Sequence, residues 1–141
     1  MWIKKYTKRV ALPPVAMGRP RRGRHGMYTP PKSRVYLKSL VALLDGEPIA
    51  TEEPVMLQCV FIHHRPKKLR RGPQVPKTTK PDLDNLIKML LDGIVSANLI
   101  PDDNLVTTIQ PFTGYQHMDL YAASGEDPHT LFTLSIWRPN G

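Results

Sequence analysis

Residues 80–103 read KPDLDNLIKMLLDGIVSANLIPDD, and the spacing of the apolar residues settles the local structure. Leu83, Leu86, Ile87, Leu90, Leu91, Ile94 and Val95 recur at the intervals of an amphipathic helix. Pro81 comes just before the helix, and Asp82 is a good N-cap residue. Asp82 and Asp84 then lie at the positive end of the helix dipole, which favours their ionised form. Asn98 tolerates a left-handed turn and Pro101 follows it, so the helix is predicted to stop near Asn98. Asn85, Lys88 and Asp92 form the polar side, Asp84 sits at its border, and Asp102 and Asp103 close the run.

Five of the twelve acidic residues fall in this run, in a chain of net charge +8. Clustered carboxylates in a basic protein suggest a cation site beside a polyanion. If the strand beginning near Asn104 runs beside the start of the helix, Asp82, Asp84 and one of Asp102 or Asp103 would surround one cation. Carboxylate oxygens suit Mg²⁺, which could activate a water and neutralise phosphate charge. Lys88, one turn beyond Asp84, would donate to a phosphoryl oxygen or the leaving group. A bland reading exists for each residue. Asp82 could be only a cap, Asp84 and Lys88 a surface ion pair worth about 0.3–0.5 kcal/mol, and Asp102–Asp103 only a turn. What favours chemistry is that all of them lie in one short run directly after a basic loop.

At 141 residues the chain is expected to be one domain spanning 1–141. Its single cysteine, Cys59, excludes an internal disulfide and a multi-cysteine zinc site, and its apolar surroundings read as a buried, inert thiol. No apolar run reaches bilayer length and the N-terminus lacks a signal-peptide core, so a soluble cytoplasmic protein is expected. Six of the fifteen prolines fall in two long loops, at 15–31 and 65–80. The first carries Arg19, Arg21, Arg22 and Arg24 among Gly and Pro, and reads as a flexible phosphate-gripping segment. The second carries Lys67, Lys68, Arg70, Arg71 and Lys80 and leads into the Asp-x-Asp pair, where it would draw a phosphodiester backbone toward the carboxylates.

Around these loops, a strand is predicted at Thr7–Leu12. A helix follows at Pro31–Leu44, with Val35, Leu37, Leu40, Val41 and Leu44 inward. Pro54–His64 reads as a central strand covered on both faces. It ends in His63 and His64, whose side chains should point to opposite faces, against a shared metal. Further strands are predicted at Asn104–Pro111, Met118–Ala122 and Thr130–Arg138. The order argues for an α+β or mixed α/β domain with two main helices packed on one sheet, and the fold expected is a single α+β domain with a mixed sheet of four to five strands.

The D-L-D-N-L-x-K core at Asp82–Lys88, the helix residue Asp92 and the paired Asp102–Asp103 resemble the signature of RusA-type Holliday junction resolvases. Pro13-Pro14, Gly18-Arg19-Pro20-Arg21 and Tyr28-Thr29-Pro30-Pro31 are similar to that family's opening. The resemblance covers about residues 10–110, and the tail from Gln110 is not matched closely. It implies a homodimeric, Mg²⁺-dependent endonuclease, with Mn²⁺ able to substitute, that resolves four-way DNA junctions by paired symmetric nicks. It implies no membrane and no small-molecule cofactor, and it places the protein in a bacterium or a phage-infected cell. It places the metal-binding and catalytic aspartates on Asp82, Asp84 and Asp103 and the catalytic lysine on Lys88. It also selects Asp103 over Asp102, and gives Asp92 an acidic position without a clear role. Two other readings stand beside it: a non-catalytic nucleic-acid-binding module with structural aspartates, and a nuclease without junction preference.

Overall fold

The computed structural model describes residues 1–18 and 21–139. In chain order the elements are β1 (Trp2–Val10), β2 (Arg21–Gly23), β3 (Gly26–Tyr28), α1 (Pro31–Leu43), β4 (Val55–His63), β5 (Val75–Pro76), α2 (Leu83–Ser96), a 3₁₀ turn (Asp103–Leu105), β6 (Val106–Pro111), β7 (Asp119–Tyr121) and β8 (His129–Trp137). Among the described residues no helix is long and apolar enough to cross a membrane.

β4 is the hub of the sheet. It runs antiparallel to β8, which in turn pairs antiparallel with β1. Its other edge is shared: Val55–Cys59 pairs parallel with β6, and Phe61–His63 pairs parallel with β7. β5 closes that side against β7. The result is a mixed, six-stranded α+β sheet, slightly larger than the four to five strands expected.

The alternation of β4 sorts its side chains into two cores. Val55, Leu57, Cys59 and Phe61 face both helices, where they meet Tyr36, Leu40, Leu86, Met89, Leu90 and Ile94. Val60 and Ile62 face the opposite way, onto Leu120, Ala122 and the partly buried Phe112 and Tyr115. Both faces are therefore covered, which accounts for the near-absence of polar residues in this strand. Burial pushes the Cys59 thiol up to about 12, as an inert core cysteine requires.

α2 spans Leu83–Ser96, and Asn98 takes the expected left-handed conformation at φ 62°. α1 begins with Pro31 in its first turn, as predicted, but its inward face differs. Ser33, Tyr36 and Leu40 are buried while Val35 is 66% exposed. The three lie on one helical stripe continued by Leu44, and Val35 falls outside it. Ser33 has a local task as well: its hydroxyl accepts from the Gly18 amide at 2.9 Å and donates to the Ala16 carbonyl at 3.2 Å.

Four other expectations change. The first strand runs Trp2–Val10 rather than Thr7–Leu12, because it pairs with β8 along its length and sets Trp2 edge-on against Trp137. Its exposed lysines Lys4 and Lys5 mark it as a sheet edge. The loop at 15–31 holds the β2–β3 hairpin, which turns through Arg24 and His25 into Gly26, where φ is 112°. The loop at 65–80 contains β5, and the strand predicted from Asn104 begins two residues later, after the 3₁₀ turn.

Candidate active site

The two aspartates at the head of α2 are free of the tasks that would make them structural. Asp82 occupies the N-cap position, with φ −73° and ψ 148°, yet its side chain makes no capping hydrogen bond. Asp84 and Lys88 are both exposed, and the ion pairs among the described residues do not join them. The cap and the surface ion pair that would have explained these residues without chemistry are therefore both missing. Two carboxylates and an ammonium face solvent on the first turns of one helix, with the helix dipole favouring the anions.

At the far end of α2 the paired aspartates divide. Asp102 caps the 3₁₀ turn, its Oδ1 accepting from the Asn104 amide at 2.9 Å. Asp103 is exposed and makes no such bond. It lies near Asp92, whose carboxyl is raised above the usual range by partial burial, with Lys88 opposing the shift and Asp103 adding to it. Asp92, Asp102 and Asp103 line a small cavity of about 290 Å³ with Leu37.

Asp84, Lys88 and Asp92 follow one another at four-residue intervals along one stripe of the helix. Asp92 thus stands about 12 Å of helix rise beyond Asp84. Within one chain the Asp82–Asp84 pair stands at the start of α2 and Asp103 in the 3₁₀ turn that follows its end. Among the described residues no group of three or more His, Cys, Asp or Glu side chains is placed to hold a metal ion. The donor set itself, carboxylate oxygens at solvent, is of the kind a hard divalent cation takes.

Asp82 sits on the ridge between two clefts. One, of about 890 Å³, is lined by Met17, Arg21, Lys32, Lys80, Asp82 and Asn85. It exists because the Met17 amide donates to the Asn85 carbonyl at 3.1 Å, tying the chain before the arginine hairpin to the head of α2. The other, of about 460 Å³, is lined by Lys77, Thr79, Asp82, His117 and Asp119 among others.

The expected phosphate-binding residues distribute unevenly around Asp82. Arg21 and Lys80 line its larger cleft, joined by Lys32, which the sequence left on a packing helix. Arg22 and Arg24 are exposed on the hairpin, and Arg19 lies outside the described residues. Lys67, Lys68, Arg70 and Arg71 are exposed but border neither cleft. Their loop is built around Arg65, which donates to the carbonyls of Arg70, Pro73 (2.7 Å) and Ala122 (3.1 Å). Gly72 and Ser124 bind each other through two further hydrogen bonds of 2.9 and 3.0 Å. The second basic loop is thereby fixed to the segment after β7, about 10 Å of strand rise from Asp119.

The histidine pair separates as expected: His64 is exposed, and His63 is buried with its Nε2 2.5 Å from Asp119 Oδ1. The sequence reading missed Asp119, the partner of His63, and Lys77, which binds the other oxygen of the same carboxylate at 3.4 Å. Lys77 looked like one more solvated cation in a basic loop, and only the pairing of β5 with β7 buries it.

A cleft edged with arginine and lysine that leads onto unengaged carboxylates suits a protein that brings a polyanion against acidic groups. The family model described as endodeoxyribonuclease RusA matches residues 11–119, well over half of the chain, and the chain belongs to that family. It is thus an endodeoxyribonuclease, a hydrolase of DNA phosphodiester bonds. No curated protein sequence matches the chain.

Proposed function

We infer that the chain resolves four-way DNA junctions as a homodimer, by paired nicks that depend on Mg²⁺ or, in its place, Mn²⁺. The observation carrying this reading is that Asp82, Asp84 and Asp103 are exposed and that, among the described residues, none of the three carboxylates caps a helix or pairs with a cation. Asp102, by contrast, is occupied, which supports Asp103 as the third ligand.

A divalent ion bound by these residues would acidify a coordinated water and offset charge on the phosphate. The chain's own part is to bind and orient. Arg21, Lys32 and Lys80 draw the DNA backbone into the cleft beside Asp82, and Lys67, Lys68, Arg70 and Arg71 hold it further along the molecule. Lys88, unpaired and one turn from Asp84, donates to a phosphoryl oxygen or to the departing oxygen.

The separation of Asp103 from Asp82 and Asp84 within one chain favours a site completed across a two-fold axis, with Asp103 of the partner subunit meeting the head of α2. An isologous dimer then carries two equivalent sites, matching the two equivalent strands of a symmetric junction.

The test is nicking of a synthetic four-way junction and of linear duplex, with Mg²⁺ or EDTA, by wild type and Asp84→Asn. Wild type should cut the junction in Mg²⁺ only, and the variant should lose about a hundredfold or more in rate. Undiminished cutting by Asp84→Asn would exclude the carboxylate site. Equal cutting of both substrates would leave a nuclease without junction preference.

A further inference from the structure

Behind the head of α2 lies a buried ionic cluster that the proposed chemistry does not use. Lys77 is 9% exposed, and its Nζ spends all three of its donors inside the protein. They go to the Thr79 carbonyl at 2.6 Å, the Pro81 carbonyl at 2.8 Å and Asp119 Oδ2 at 3.4 Å. Asp119, on β7, is shared with the buried His63 at the end of β4. Thr79 is also held from the sheet, its hydroxyl 2.6 Å from that of Tyr121. The backbone contributes one more bond, from the Lys77 amide to the Asp119 carbonyl at 3.0 Å.

The two carbonyls that receive the ammonium are those of the segment leading into Asp82. Residues 77–82 therefore wrap around the Lys77 ammonium, which is anchored in turn to the sheet through Asp119 and His63. A buried lysine is an expensive way to fill space, since an apolar side chain of the same length would need no counter-charge. What it gives here is geometry. Three directed, charge-assisted bonds hold the start of α2 at a set position over the sheet.

We propose that Lys77, braced by Asp119 and His63, is a positioning residue that fixes the Asp82–Asp84 carboxylates for metal binding. This rests on the metal reading above. Lys77 touches neither metal nor DNA. It acts through the carbonyls of Thr79 and Pro81 on the residues that follow them.

The experiment uses the full-length protein and compares wild type, Lys77→Met, Asp119→Asn and Asp82→Asn. Three quantities are measured well below each variant's melting temperature: amide exchange by segment, Mn²⁺ affinity of the DNA-free protein by electron paramagnetic resonance, and junction affinity in EDTA. Lys77→Met should speed exchange at residues 82–86 by about tenfold or more and weaken Mn²⁺ by about tenfold, leaving exchange in β4 and β8 and metal-free junction affinity near wild type. Asp119→Asn should shift the same two readouts in the same direction, and it decides the matter if Lys77→Met does not fold. Wild-type exchange at 82–86 in the folded variant, or undiminished Mn²⁺ binding where wild type binds, overturns the proposal. If wild type and Asp82→Asn bind Mn²⁺ equally poorly, the metal reading fails instead, and the exchange readout alone judges the strut.

Discussion

Asp102 and Asp103 are adjacent, exposed and chemically identical, yet they are engaged differently. Asp102 turns its carboxylate back onto the Asn104 amide and so holds the 3₁₀ turn, while Asp103 is left to face solvent. The sequence could not separate them, because a turn cap and a metal ligand demand the same residue type. Their amides should separate them in an assay. Asp102→Asn keeps an oxygen that can accept from Asn104 and should retain most nicking activity. Asp103→Asn loses a charge at the site and should fall by about a hundredfold or more. Equal losses in the two, measured on the same junction, would contradict this division. Asp82 shows the complementary case. Its position at the helix start was legible from Pro81 and the apolar spacing, but only the structure shows that its carboxylate caps nothing.

The helices were legible because their signals are local. The apolar stripe of α2 and the stop at Asn98 are present in the run itself, and both appear at the expected positions. Contacts between elements were not. Gly93, near the end of α2, lies against Leu37 and Leu40 of α1, and a Cβ placed there would clash with Leu40 Cδ2 and reach 2.9 Å from its Cγ. Leu40 is fully buried and has little room to move. Gly93→Ala should therefore destabilise the protein by about 1–3 kcal/mol despite the better helix propensity of alanine. A melting temperature at or above that of wild type would show that the two helices can part without loss. The same limit explains the other differences. The exposure of Val35, the pairing of β1 with β8 and the burial of Lys77 each depend on a partner distant in sequence. The Arg65 staple escaped notice for a related reason, since its carbonyl acceptors carry no side-chain signature.

At the scale of the whole molecule, the sheet extends beyond the region that carries the family signature. β1 and β8 lie outside residues 11–119, but β8 is the strand between β1 and β4, and Phe132, Leu134 and Ile136 are fully buried in the helix-facing core. The C-terminal tail is thus part of the fold. Through Ala122, Ser124 and Glu126 it also supports the second basic loop, with Glu126 accepting from Gln74 at 3.0 Å.

Among the described residues of one chain Asp103 does not join Asp82 and Asp84 in a group placed to hold a metal, and the proposed dimer would bring them together. Subunit mixing tests this most directly. Asp82→Asn and Asp103→Asn, each inactive alone, are unfolded, mixed and refolded together, and junction nicking is measured in Mg²⁺. If each site draws on both chains, a mixed dimer has one site with both substitutions and one with neither. The mixture should then regain about a quarter of wild-type nicking, as single-strand cuts without full resolution. A mixture no more active than either variant alone would contradict the shared site.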